Sequence, residues 1–188
     1  MKMKRILITV IAATFALTGA GTALAGNSLL PETATEAVAL KVANEVLQGG
    51  YKLLSVADMK KMIDAKENFV LIDAHPPEEF VLAYVEGATN FGFQSNRNGK
   101  WEEDALGKTQ EAYRKVLGPD LNRKIVIYCG FVKCGRSHNA AVWAKQLGYT
   151  NLYRVPGGIS AWMDAGYPYK THWTRARDCS PRQAGTGS

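Results

Sequence analysis

The chain has 188 residues, 46% of them hydrophobic and 21% charged, and a formal net charge of +6, which is enough for one domain built on one core. Half of that charge belongs to Lys2, Lys4 and Arg5; without them the balance falls to +3. A residue that small argues against a dedicated nucleic-acid binder, which needs a clustered basic face.

The first segment, Met-Lys-Met-Lys-Arg followed by an apolar run from Ile6 to about Leu17 and then Ala23-Leu24-Ala25, has the layout of a secretory signal with an A-x-A cleavage site. The apolar run is shorter than the roughly 20 residues of a membrane span. No cysteine follows the cleavage site, so no membrane anchor is expected after cleavage. Residues 1–25 are thus expected to be removed, leaving a protein that is periplasmic or secreted. Three cysteines, Cys129, Cys134 and Cys179, would then meet an oxidising compartment, where thiols usually pair. An odd count leaves one free or joined to another molecule.

Residues 26–50 read as an N-terminal helical extension. Ala34, Val38, Val42 and Val46 recur at four-residue spacing before Gly49-Gly50, the pattern of an amphipathic helix with a glycine stop. Tyr51–Leu54 is expected to be a short strand. Ser55 and Asp58 then resemble a capping pair opening a helix through about Ala65. Phe69-Val70-Leu71-Ile72 is a continuous apolar run, as in a strand buried on both faces. Pro76 and Pro77 halt it, and Glu78 and Glu79 suit the first turn of the next helix.

Gly87–Asn90 returns the chain towards the sheet, and residues 94–104 read as a polar loop carrying Trp101. A helix is expected from about Leu106 to Leu117, ended by Gly118-Pro119, and a strand from Lys124 to Tyr128. Ala140, Trp143, Ala144 and Leu147 mark one face of a helix ended by Gly148, with Trp143 and Trp162 read as core. A strand over Asn151–Val155, then Pro156-Gly157-Gly158 and a helix to about Asp164, complete residues 51–168. Alternating strands and helices predict an α/β fold, a central mostly parallel sheet with helices on both faces. Residues 169–188 form a polar tail holding Arg175, Arg177, Arg182 and Cys179, with the last dozen residues expected to lack fixed structure.

The chemistry concentrates in Cys129-Gly130-Phe131-Val132-Lys133-Cys134-Gly135-Arg136-Ser137-His138, at the carboxyl end of a strand, where such sheets bind ligands. A cysteine in a cationic loop before a helix is a candidate thiolate nucleophile. Gly130 and Gly135 permit a tight turn, and successive backbone N–H groups with a helix N-terminus form an anion-binding hollow. Lys133 and Arg136 add positive charge, Arg136 being suited to grip an oxyanion with two N–H groups. Cys129 is the expected nucleophile. Cys134 is open to three roles: resolving or disulfide partner, sole carrier, or passive loop residue. Asp73 is read as a buried acid orienting a loop, His75 as a pocket-lining or turn residue, and His138 as a helix-surface residue.

Taken together, Leu71-Ile72-Asp73-Ala74-His75-Pro76-Pro77-Glu78-Glu79-Phe80, Gly87-Ala88-Thr89-Asn90, Val126-Ile127-Tyr128-Cys129, Arg136-Ser137 and Pro156-Gly157-Gly158-Ile159-Ser160-Ala161-Trp162 resemble a rhodanese-like sulfurtransferase domain. The resemblance implies a cysteine that carries sulfur as a persulfide, taken from a small sulfur-containing anion and passed to a thiol acceptor. It implies catalytic roles for Cys129, Arg136 and Lys133, substrate contacts from Gly130, Phe131, Val132, Cys134, Gly135 and Ser137, support from Asp73 and His75, no metal and no cofactor. The expected assembly is a monomer or a homodimer.

Two departures from the family pattern are visible. Cys129 and Arg136 are seven positions apart where five is usual, which leaves room for a larger guest, and His75 stands where an arginine is usual. Two other readings remain open. One is an oxyanion enzyme of the cysteine phosphatase or arsenate reductase kind; the other is a dithiol redox or chalcogen-binding module using Cys129 and Cys134.

Overall fold

The computed structural model describes residues 31–172. The expected signal segment, the start of the extension and the tail residues Arg175, Arg177, Cys179 and Arg182 lie outside them. Within the described residues the elements run α1 (Glu32–Gly49), β1 (Lys52–Leu53), α2 (Val56–Asp64), β2 (Val70–Asp73), α3 (Pro77–Phe80), β3 (Thr89–Asn90), α4 (Trp101–Asp104), α5 (Gln110–Leu117), β4 (Ile125–Tyr128), α6 (Arg136–Gln146), β5 (Leu152–Val155) and α7 (Gly158–Asp164).

The five strands form one sheet in the order β1-β5-β4-β2-β3, and every pairing is parallel. Parallel strands need crossovers that place helices on the sheet faces, so both faces are covered. Strand alternation divides the core accordingly. Val70, Ile72, Ile125, Ile127 and Leu152 point to the side of α5 and α6, joined there by Tyr113, Leu117, Ala140 and Ala144. Leu71, Val126, Tyr128 and Val155 point to the side of α2 and α7, against Met59, Met62, Ile159 and Trp162. Both tryptophans read as core, Trp143 and Trp162, are buried.

Helix boundaries follow local chemistry. Ser55 Oγ accepts the Asp58 N–H at 3.0 Å and donates to Asp58 Oδ2 at 2.7 Å, closing the start of α2 as expected. The helix expected from Leu106 begins at Gln110 instead. Leu106 and Gly107 both adopt left-handed backbone, φ 52° and 75°, which a right-handed helix cannot contain, and Thr109 supplies the cap through Oγ1 and the Ala112 N–H at 3.1 Å. The segment 94–104, read as loop, ends in the helical turn α4. Its Trp101 ring packs edge-on against Phe93 and Trp143, so tertiary burial orders a turn that a polar sequence does not announce.

Helix α1 keeps one buried residue, Gly49, and rests Val46 on the core. Gly50, with φ 62°, stops it by donating its N–H to Val46 O at 2.9 Å. No helix among the described residues is long and apolar enough to cross a membrane.

Candidate active site

The central strand β4 ends at Tyr128, and the next seven residues form a loop that delivers the chain into α6. Its shape is fixed from two sides. Carbonyls of Cys129 and Gly130 accept the N–H groups of Ile159 and Ser160, at 2.8 and 2.9 Å, from the first turn of α7. Gly158, at φ +59°, permits that approach, because a Cβ there would lie 2.1 Å from Cys129 O. On the opposite side Gly135 lies against the Ser95 carbonyl, 2.1 Å from where its Cβ would be. A turn within the loop, Cys134 N–H to Phe131 O at 2.9 Å, brings the second cysteine back over the first.

The two sulfurs differ in surroundings. Cys129 is 1% exposed, and its Sγ lies 3.2 Å from Ser137 Oγ and 3.6 Å from Cys134 O. Burial, aided by the adjacent Cys134 charge, pushes the Cys129 thiol well above its ordinary value. Cys134 is nearly as deeply buried, 4% exposed, but a hydrogen bond from the Cys129 thiol, the N–H groups of Arg136 and Gly130 and the Arg136 guanidinium hold it down to about 5. Arg136 Nη1 lies 3.9 Å from Cys134 Sγ. The helix N-terminus and loop amides therefore stabilise negative charge on the second cysteine. The two cysteines are pushed in opposite directions, Cys129 up and Cys134 down, so the loop favours negative charge on Cys134 where the sequence pointed to Cys129.

Behind the loop stands Arg154, on β5 and fully buried. Its Nε donates to Ser137 Oγ at 2.9 Å, Nη2 to Cys134 O at 3.1 Å, and Nη1 to Tyr51 Oη at 3.1 Å and Glu45 Oε2 at 2.5 Å. A buried guanidinium is tolerable only when its donors are satisfied in this way. Glu45, from α1, is held ionised: burial opposes its charge, but hydrogen bonds from Lys41 and Arg154 outweigh it and lower its pKa. The N-terminal extension thus contributes an acid to the back wall of the loop. Ser137, expected at the substrate, is fully buried between Cys129 and Arg154 instead. His138, expected on the helix surface, is also buried and hydrogen-bonds Tyr51 Oη through Nδ1 at 2.9 Å; burial lowers its pKa to about 4.

In front of the loop, Arg136 grips Glu79 rather than open space, Nη2 to Oε1 at 2.8 Å and Nη1 to Oε2 at 3.1 Å. Asp73, fully buried at the end of β2, accepts the His75 N–H at 2.9 Å and pairs with His75 Nδ1 at 2.8 Å. Burial disfavours a charged imidazole, yet Asp73, then Glu79 and the Cys134 charge, raise the His75 pKa. Its Nε2 lies 3.1 Å from the point a Gly130 Cβ would occupy, so His75 abuts the loop and a side chain at Gly130 would have to push the ring aside. Asn90 secures the same bend through Nδ2 to His75 O at 2.7 Å.

Phe131 is 53% exposed at the loop's tip, and Lys133 is exposed beside it. Two clefts flank the tip. One, about 300 Å³, is lined by Thr35, Val38, Phe131, Val132 and Lys133; the other, about 430 Å³, is polar and includes Lys41, Ser95, Arg97, Lys133 and Gly135. A larger cleft of about 690 Å³ between α5 and Tyr149 contains none of the loop residues and has no part in this chemistry.

Sequence reasoning did not single out Arg154, Glu45, Tyr51 or Glu79. Arg154 had a signal, a charge inside a strand of a sheet covered on both faces. Glu79 and Glu45 lie 57 and 109 residues from their arginine partners, and no local pattern announces such pairs.

A family model described as the rhodanese-like domain matches residues 55–165. The thiosulfate sulfurtransferase GlpE of Actinobacillus succinogenes is 30% identical over 105 residues, spanning 56% of this chain and 78% of that protein. The mitochondrial protein HIGH ARSENIC CONTENT 1 of Arabidopsis thaliana is 30% identical over 104 residues, 51% of this chain and about half, 53%, of its own length. Among solved structures, the polysulfide-sulfur transferase homodimer of Wolinella succinogenes superposes with a TM-score of 0.52 at 17% identity, covering 78% of this chain and 96% of that one. The rhodanese-like domain of an Anabaena protein does so with a TM-score of 0.51 at 14% identity, covering 72% and 91%.

Proposed function

The chain belongs to the rhodanese-like domain family, and from that premise we propose that it is an exported sulfurtransferase that carries sulfane sulfur on Cys134. The observation that carries this reading is the cradle around the Cys134 sulfur: two backbone N–H groups, a buried thiol donor and the Arg136 guanidinium keep it ionised near neutral pH. A thiolate is the species that attacks sulfur. With thiosulfate, the Cys134 sulfur bonds the outer sulfur of the anion, the S–S bond breaks, and sulfite leaves with the electron pair. The persulfide is then attacked by a thiol acceptor, which takes the outer sulfur and returns Cys134 to thiolate. Positive charge for the approaching anion comes from Lys133 at the lip.

The N-terminal signal pattern supports a periplasmic location, and the mass of the protein recovered from the periplasm tests cleavage after Ala25. The oxyanion-enzyme alternative has less in its favour, because both arms of Arg136 that would hold a tetrahedral anion are given to Glu79. Incubation of the reduced protein with thiosulfate is expected to add about 32 Da, one sulfur, to the peptide containing Cys134, and cyanide to discharge it as thiocyanate. Loading is expected to be level at neutral pH and to fall as pH drops through about 5, where Cys134 protonates. Sulfur found on Cys129 alone, or rapid hydrolysis of an aryl phosphate without sulfur loading, overturns the assignment.

A further inference from the structure

Cys129 has no task in the transfer just described, yet its setting is not that of an inert core cysteine. A passive buried thiol packs against hydrocarbon. Here the sulfur lies 3.2 Å from Ser137 Oγ and 3.6 Å from the Cys134 carbonyl, with the Cys134 side chain near enough for each sulfur to shift the other's ionisation. Neither cysteine is in a disulfide, and the turn from Phe131 to Cys134 holds them together.

We propose that Cys129 is a resolving thiol, giving the protein a second activity: when no acceptor reaches the Cys134 persulfide, Cys129 attacks it and the sulfur is discharged as hydrosulfide. This rests on the preceding assignment of Cys134 as carrier. In the step, the Cys129 sulfur bonds Cys134 Sγ, and the bond between Cys134 Sγ and the outer sulfur breaks. The outer sulfur leaves with the electron pair and takes the proton that Cys129 gives up. The outer sulfur is reduced from sulfane to sulfide, and the two cysteine sulfurs are oxidised to a disulfide, so no outside oxidant is involved. An external dithiol reductant returns the pair to the reduced state, with the products disulfide on the reductant and two thiols on the protein.

The surroundings suit this attack. Arg154 Nε–H occupies a lone pair of Ser137 Oγ at 2.9 Å, leaving the hydroxyl hydrogen free to turn towards the Cys129 sulfur as it loses its proton. The same arginine holds Cys134 O at 3.1 Å, which keeps the two ends of the loop in register.

The test is a single loading of the reduced full chain with one equivalent of inorganic polysulfide, without acceptor, followed by intact mass and sulfide measurement over time. The wild type is expected to show a transient gain of about 32 Da that gives way to a species about 2 Da below the dithiol, with one equivalent of sulfide released. Cys129→Ser is expected to retain the added sulfur at least tenfold longer and to release no sulfide beyond the shortened polysulfide that leaves in the loading step; Cys129→Ala serves as the second variant should the serine not be tolerated in the core. If the wild type keeps its added sulfur as long as these variants do, the resolving role is overturned while the carrier role of Cys134 stands. If no variant with Cys134 intact gains sulfur, or if Cys134→Ser loads on Cys129, the carrier assignment fails and the resolving role with it.

Discussion

The two faces of the sheet are built to different ends. Over α2 and α7 the core is hydrocarbon and aromatic, Met59, Leu71, Val126, Tyr128, Ile159 and Trp162, and Tyr128 spends its hydroxyl on the Val85 N–H at 2.9 Å. Over α1, α4 and α6 the buried set includes Arg154, Asp104, Ser137, His138 and Asn139, each tied into a hydrogen-bond network. Asp104, for example, accepts Trp143 Nε1 at 2.8 Å and the Asn98 N–H at 2.7 Å. Buried polar groups stabilise little in net terms but fix geometry when every partner is present. Both faces bury apolar cores, and the face of α1, α4 and α6 carries in addition the polar network that holds the cysteine loop in one shape.

That contrast can be broken by experiment. The largest effect falls on the loop itself: Cys134→Ser is expected to lower sulfur loading by about 10³-fold or more, as removal of a nucleophile does, with the thermal melting temperature close to wild type. Sulfur loading that survives the substitution undoes the assignment. Next comes the apolar face, where Trp162→Ala is expected to cost about 3–5 kcal/mol of stability in denaturant titration, with the loading rate per folded molecule unchanged.

Arg154→Gln on the polar face should reverse that signature. We expect about 2–3 kcal/mol of lost stability together with a loading rate lowered roughly tenfold, the equivalent of about 1.4 kcal/mol in the barrier. Equal loading rates in the tryptophan and arginine variants would mean that the two faces do not divide these tasks.

Smaller effects lie in front of the loop. His75 has a raised pKa in the folded chain, so its pairing with Asp73 stabilises the fold fully below the ordinary histidine value of about 6.5 and is lost as pH rises through the higher folded value. His75→Gln is expected to flatten that part of the stability-versus-pH curve, measured by melting temperature between pH 5 and 9 in steps of roughly one unit. The smallest effect belongs to Lys133→Ala: a two- to threefold rise, about 0.5 kcal/mol, in the thiosulfate concentration needed for half-maximal loading, diminishing as salt is added.

Much of the architecture was legible from residue order. The run Phe69–Ile72 announced a strand buried on both faces, and Val70–Asp73 is that strand. Ser55 and Asp58 announced the cap they form. Asp73 was read as a buried orienting acid and lies fully buried against His75. The start of α5 and the turn α4 were misread because left-handed backbone at Leu106 and ring packing around Trp101 leave no periodic trace.

What the amino-acid order determined by itself was the alternation of strands and helices and the delivery of a glycine-bracketed, basic cysteine loop to the carboxyl end of the central strand. Hydrophobic periodicity, caps and turn residues act over a few positions, so they can be read locally. Which of two cysteines bears the charge was decided only in three dimensions. A thiol's ionisation depends on how deeply it is buried and which donors surround it. Here the loop that provides them is braced by residues as distant as Glu45, Tyr51, Glu79 and Arg154, which meet only after the chain has folded.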